Sequence, residues 1–206
     1  MNRLSNPLEA EPEWKIVQKV QAGQVKYFEE LIKKHEKPVF NFLFRFLGNY
    51  HDAEEVAQEV FLAAYRSISQ FRGESRFSTW LYRIAINQAK NKEKNLNLSL
   101  QRNISIDPVA NDSGDNPVLQ VPNPGPDPEN QQNQKEIQRI VQKEIHLLNP
   151  DEAVIILLND FEERSYDEIS NLLDIPVGTV KSRLHRARMV LKRRLEPYFT
   201  YSREKK

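Results

Sequence analysis

Apolar residues recur every three or four positions through residues 52–70, at Ala53, Val56, Ala57, Val60, Phe61, Ala64, Tyr65 and Ile68. That spacing draws a single stripe along a helix of 3.6 residues per turn, as expected of an amphipathic α-helix lying on a core. Asp52 with Glu55 reads as an Asx-type capping box at its start. Glu54, Glu55, Gln58 and Glu59 occupy the opposite, solvent-facing side. Upstream, residues 25–47 supply Phe28, Leu31, Ile32, Val39, Phe42, Leu43 and Phe46, with Pro38 expected to divide the stretch into two helices. Gly48-Asn49 marks a turn. Downstream, Ser78 or Thr79 can cap a helix to about Lys94 that turns Leu81, Ile84, Ala85 and Gln88 toward the core.

The periodic pattern stops near Leu96. Six of the twelve prolines fall in residues 96–130, among Asn, Asp and Gly, with few large apolar residues. This stretch reads as a flexible, acidic linker, since one Arg (Arg102) stands against Asp107, Asp112, Asp115, Asp127 and Glu129. A structureless span of that length is unlikely inside one compact domain, so two helical domains are expected.

Helical signals resume at residues 131–148. Asn149-Pro150 then reads as N-cap and first-turn proline for a helix carrying Val154, Ile155, Leu157, Leu158 and Phe161. Ser165 with Glu168 forms another capping box, opening a short helix to about Leu173. After Asp174-Ile175-Pro176 a longer helix runs to about Leu195. Short helix, tight turn and longer basic helix make a helix-turn-helix. The expected architecture is thus all-α: an N-terminal extension (1–19), a first domain (20–95), the linker (96–130), a second domain (131–197) and a basic C-terminal tail (198–206).

Composition narrows the setting. The chain has no cysteine, which removes disulfides and thiolate metal sites and fits a reducing cytoplasm. No apolar run approaches the roughly 20 residues of a membrane span, and the N-terminus shows no signal-peptide pattern. The net charge is only +1, but it is strongly segregated. Residues 181–206 hold ten Lys/Arg against two Glu, a net of +8.

The last helix shows why this matters. Val177, Val180, Leu184, Ala187 and Leu191 share one face. Lys181, Ser182, His185 and Arg186 lie away from it, near the N-terminal half, where a recognition helix meets base edges in a major groove.

Residues 71–94 are a second charged region, with six Lys/Arg against two Glu, a net of +4. Here the aromatics Phe71, Phe77, Trp80 and Tyr82 are interleaved with the cations. Single-stranded nucleic acid needs that mixture, cations for phosphates and π-faces for unstacked bases. The helical wheel places Arg83, Asn87, Lys90, Asn91 and Lys94 outward with Trp80 at the edge. The loop from Phe71 through Arg72 and Gly73 to Phe77 could wall a pocket for one flipped base, although aromatic spacing alone favours burial of Trp80 and Phe77 in the core.

These motifs together resemble a known family. FRGESRFSTWLYRIAINQAKN resembles region two of bacterial sigma factors of the extracytoplasmic function class, and SYDEISNLLDIPVGTVKSRLHRAR resembles their region four. DAEEVAQEVFLAAYRSI is similar to the helix with which such factors grip RNA polymerase. The resemblance implies that Asp52, Glu55, Gln58 and Glu59 face the β′ clamp helices of core RNA polymerase, and that region four meets the β flap. It implies that Trp80 and Asn87 act at the upstream edge of the -10 element, that the Phe71–Phe77 loop holds a flipped base, and that Arg72, Arg83, Lys90 and Asn91 belong to the same surface. It implies that Lys181, Ser182, Arg183, His185 and Arg186 meet the -35 duplex in promoter DNA. The linker would thread the RNA-exit region, and an anti-sigma factor would occlude both DNA-binding faces. Two positions depart from the pattern: Ser170 replaces a small Ala, a change expected to loosen the helix-turn-helix contact slightly, and His185 replaces a bulkier residue.

No catalytic role is expected. The four histidines (35, 51, 146, 185) lack paired metal-ligand spacing, and the chain has no P-loop, GxGxxG or Gly-x-Ser-x-Gly motif. No cofactor is called for. A stand-alone helix-turn-helix regulator of duplex DNA is the main alternative, and an interaction module that binds no DNA is a third. A regulator needs a ligand or dimerisation domain where this chain places an acidic helix beside a basic aromatic one.

Overall fold

The computed structural model describes the backbone of residues 12–103 and 128–203 and the side chains of 12–99 and 136–198. Among these residues the regular structure is helical throughout. The order is α1 (Pro12–Gln21), α2 (Lys26–Leu47), α3 (Tyr50–Ser67), a 3₁₀ turn (Ile68–Gln70), α4 (Phe77–Asn103), α5 (Pro128–His146), α6 (Pro150–Ile156), a π-helical turn (Leu157–Phe161), α7 (Tyr166–Leu173) and α8 (Val177–Arg203).

The first four helices build one group. The expected stripe of α3 is realised, with Ala53, Val56, Val60 and Ala64 fully buried against α2 and α4. Pro38 does not divide α2, which is continuous across it. A proline inside a helix leaves the carbonyl four residues back unbonded and crowds it, at about 3 kcal/mol. Pro38 is on the exposed side, where that carbonyl can be solvated, while Val39, Phe42, Leu43 and Phe46 bury the other side. Apolar burial of roughly 1.5–3 kcal/mol per large side chain outweighs the local defect.

The turn into α3 differs by three residues from the expectation. Gly48, at φ +71°, ends α2 with its N–H on the Phe44 carbonyl. Asn49 then turns extended and its side chain takes the Asp52 N–H at 3.0 Å. Asn49, rather than Asp52, is therefore the N-cap, and Asp52 is a first-turn acid favoured by the helix dipole. Similarly, α4 begins at Phe77, which puts Ser78 and Thr79 inside its first turn instead of capping it. The helix α1, most of it within the stretch read as an N-terminal extension, buries Val17 and Val20 on α2.

The second group follows the reading more closely. Asn149 caps α6 through the Asp151 N–H, with Pro150 in the first turn. Ser165 and Glu168 complete both halves of the capping box of α7. Asp174, left-handed at φ +54°, ends α7 and starts the turn into α8. Ser170 does not loosen this turn: its Oγ donates to the Ile175 carbonyl at 2.6 Å, a bond no Ala could make. Helix α8 continues through Pro197 to Arg203, past the expected end near Leu195.

At the linker, α4 runs on to Asn103 and α5 starts at Pro128, so regular helix covers both of its expected ends. Residues 104–127 lie outside the described residues, as do residues 204–206 of the basic tail. The two groups meet along a seam of α2 with α5 and α4 with α7.

Candidate nucleic-acid interface

The aromatics of residues 71–82 sort by burial. Phe77 is 3% exposed and Phe71 7%, packed edge-on with centroids 6.0 Å apart. Trp80 is half-buried and touches both, at 5.1 and 5.6 Å. The two phenylalanines therefore serve chiefly as core, and Phe77 is turned away from any base pocket. The reason is packing: His35 and Trp14 close over them, with centroids 5.5 Å from Phe77 and 5.8 Å from Phe71. What remains open beside the loop is a cleft of about 400 Å³ lined by Gln70, Phe71, Arg72, Glu74, Ser75, Trp80 and Arg83.

The loop is held from α1, which sequence periodicity did not connect to it. Gln21 Nε2 donates to the carbonyls of Ile68 and Phe71 at 2.7 and 2.8 Å. Gly73 adopts φ +70°, and a Cβ there would lie 2.9 Å from the Trp14 ring. The position thus requires glycine for both backbone conformation and close approach. Trp14 itself is anchored by α1, where Glu13 is buried against His35 Nε2 at 3.0 Å and also pairs with Lys34. The hydrogen bond from His35 holds the Glu13 carboxyl down at about 2, despite the opposing effect of burial.

Helix α4 carries the polar face as the wheel predicted. Arg72, Arg83, Asn87 and Asn91 are exposed and Lys90 is half-exposed. Its core side is wider than expected, because Tyr82, Ile86 and Ala89 join Leu81 and Ala85 in burial, whereas Ile84 and Gln88 are only partly covered. Tyr82 is 1% exposed and its hydroxyl donates to Glu162 of the second group. Burial first, then the neighbouring carboxylate, raise that hydroxyl far above the usual tyrosine range, so it stays a donor.

On α8, Val180, Leu184 and Ala187 are buried and Lys181, Ser182, His185 and Arg186 are exposed. The capped α7 and its turn thus present one polar face of a second helix, the geometry of a recognition helix. Ser182 Oγ donates back to the Thr179 carbonyl, and Arg186 lies 3.6 Å from Glu152. Arg183 differs from its neighbours: half-buried, it points to Asp151 Oδ2 at 3.2 Å.

On α3, Gln58 and Glu59 are exposed, whereas Asp52 and Glu55 are engaged with Lys92 of α4 at 3.1 and 2.6 Å. The four residues do not form one uniform acidic face: two brace α4 and two are free of that brace. Among the described residues no group of His, Asp and Glu could hold a metal ion, and no helix is long and apolar enough to cross a membrane.

Comparison with known proteins identifies the family. Residues 31–95 match the family model of sigma-70 region 2, and residues 138–191 that of sigma-70 region 4. The chain therefore belongs to the sigma-70 family, in its extracytoplasmic function (ECF) class of RNA polymerase sigma factors. It is 40% identical over 182 residues to the ECF RNA polymerase sigma-E factor of Haemophilus influenzae, spanning 88% of this chain and 94% of that one. It is 36% identical over 194 residues to the RNA polymerase sigma-H factor of Pseudomonas aeruginosa, spanning 92% and 97%. The fold is shared with the sigma factor RpoE of Bartonella quintana, solved with the anti-sigma factor NepR (TM-score 0.63, 20% identity, 83% of this chain and 98% of that one). It is shared also with CnrH, solved with the cytosolic domain of CnrY (TM-score 0.62, 17% identity, 88% and 96%). As a sigma factor the chain is a transcription initiation factor and not an enzyme.

Proposed function

We propose that this sigma factor reads its promoters through two surfaces, one on each helical group. Lys181, Ser182, His185 and Arg186, with Arg183 at the edge, meet the -35 duplex. Arg72, Trp80, Arg83, Asn87, Lys90 and Asn91 meet the -10 element as it opens. The observation that carries the reading is α8. It buries Val180, Leu184 and Ala187 while offering four polar residues on the second helix of a doubly capped helix-turn-helix. Arg and Lys there suit guanine, and Ser and His suit adaptable contacts.

On the first group, the cleft beside Trp80 and Arg83 is bounded by a glycine-dependent loop and has room for one base. Phe71 lines that cleft but is itself largely buried. Trp80, half-buried against Phe71 and Phe77, is rigid enough to stack at a junction of paired and unpaired bases. Gln58 and Glu59 dock on the β′ clamp helices of core polymerase, with Asp52 and Glu55 stiffening that surface through Lys92. The protein works in the bacterial cytoplasm and is held off by an inhibitory protein, as its structural neighbours were solved with theirs.

Permanganate footprinting of promoter complexes tests the division of labour. Trp80→Ala should reduce strand opening while leaving closed-complex binding nearly intact. Equal losses in both would contradict a melting role.

A further inference from the structure

Helix α1 lies outside residues 31–95, the part of the chain that matches sigma-70 region 2. It nevertheless holds the loop that borders the cleft beside Trp80. Residues 71–76 belong to no helix, so no helical ladder fixes their path. At the loop's entry, Gln21 Nε2 donates to the Ile68 carbonyl at 2.7 Å and to the Phe71 carbonyl at 2.8 Å. A side-chain amide nitrogen carries two hydrogens, so both bonds form at once. The Ile68 carbonyl also takes the Phe71 N–H at 3.1 Å, which ties the 3₁₀ turn, the loop and α1 together. Further along, the Trp14 ring closes on Gly73, which is buried at φ +70°.

The support for α1 comes from α2 and not from the loop. Val17 and Val20 are buried, and Glu13 bonds His35 Nε2 at 3.0 Å and pairs with Lys34. Two lines of ring contacts then lead from this anchorage to Trp80. One passes from Trp14 through Phe71, the other from His35 through Phe77. The cleft takes Phe71, Arg72, Glu74 and Ser75 as part of its lining, so its shape follows the shape of the loop. A binding site on a loop keeps its geometry to within roughly 0.5 Å only where neighbouring residues lock it. Gln21 is exposed, so burial is not what places it against the loop; its two bonds are.

We propose that Gln21 and Trp14 are positioning residues for base selection. They touch no DNA; they hold residues 71–76 in the one shape that accepts a preferred unstacked base beside Trp80. Gln21 fixes where the loop starts and Trp14 fixes its crest at Gly73. Helix α1 is thereby part of the promoter-reading unit. A loop released from Gln21 spends less time in the held shape, and base preference falls with that fraction. Phosphate contacts from Arg72 and Arg83 carry no sequence information and persist. The base-selection part of this inference rests on the promoter reading above; the hold on the loop does not.

Trp14 and Trp80 are the only tryptophans of the chain, and both pack on Phe71, so fluorotryptophan labelling puts both reporters at this loop. Fluorine NMR of the unaltered protein should show a sharp line for each. Gln21→Met, similar in length but without donors, should broaden or split both. Gln21→Lys, whose ammonium can donate to both carbonyls, should restore them. With core polymerase, initiation from a promoter library randomised across the -10 and -35 elements gives the second readout. Gln21→Met should lower base preference at one -10 position about 5-fold or more, with -35 preferences changed by less than about 2-fold. Gln21→Lys should recover the -10 preference; its added charge strengthens all sequences alike and cannot imitate that recovery. Val56→Ala, fully buried in the first half of α3, controls for lost stability and should leave both the lines and the preferences in place. Unchanged lines in Gln21→Met overturn the hold. Moved lines with unchanged preference, or an equal loss for every base, overturn the role in selection. The lines require neither polymerase nor promoter, so the hold is decided apart from the promoter reading. Trp80→Ala on the same library reports on that reading: an unaltered -10 preference would overturn it, and the selection role with it.

Discussion

At the scale of single residues, two kinds of side chain shape the proposed -10 surface. Gly73 works by having none, and Trp14 presses on it from a helix outside the conspicuous motifs. Gly73→Ala forces a left-handed alanine into an indole ring, and should cost about 1–3 kcal/mol in urea unfolding. It should also impair melting more than -35 binding, because the loop borders the cleft beside Trp80. Asn87 is the other kind, an exposed amide able to bond a base edge bidentately. Asn87→Ala should relax -10 preference in a promoter-library selection while leaving stability unchanged. An unaltered preference would remove Asn87 from the reading surface.

At the scale of elements, the helix-turn-helix owes its geometry to short local rules that act in series. Ser165 and Glu168 start α7, Asp174 ends it in the left-handed region, and Ser170 ties it to the turn through Ile175. Ser170→Ala should therefore destabilise the second group by about 1 kcal/mol, read by thermal unfolding. A gain in stability would show that the shorter side chain packs better there. Helix α3 makes the matching prediction for polymerase. Placing positive charge there with Gln58→Lys and Glu59→Lys should weaken co-purification with core polymerase without altering helicity, because both residues are exposed and outside the Lys92 brace. Full retention would move the polymerase contact elsewhere.

At the scale of the whole molecule, local chemistry was legible in the sequence and long-range pairing was not. The stripes of α3 and α8, the caps at Asn149 and Ser165, and the outward set Arg83, Asn87 and Lys90 follow from helical period and short-range hydrogen bonding. Pro38 was misleading because its cost is offset by burial on the far side of α2, which a local rule does not count. The seam was invisible for the same reason. Tyr82 and Glu162, or Gln142 and the Phe44 carbonyl, stand 80 and 98 residues apart, and neither partner's type names the other. Glu13 and His35 are a smaller instance, and one with a pH signature. The His35 hydrogen bond, with Lys34 beside it, outweighs burial and lowers the Glu13 carboxyl from 4.5 to about 2, so its contribution is complete above its unfolded value. It is lost progressively as pH falls from about 4.5 toward 2. Glu13→Gln should lower stability at neutral pH by about 1–3 kcal/mol, and the gap between the two proteins should narrow across that acid range.

The account turns on one claim, that this chain brings core RNA polymerase to particular promoters through α8 and α4. Run-off transcription on a fragmented genomic library, with core polymerase in the presence and absence of the protein, tests it directly. The account predicts new discrete start sites that share a -35 and a -10 sequence. Lys181→Ala or Arg186→Ala should weaken them by about 1–3 kcal/mol in promoter binding where the side chain is bidentate to a base. Initiation no different from core polymerase alone would contradict it.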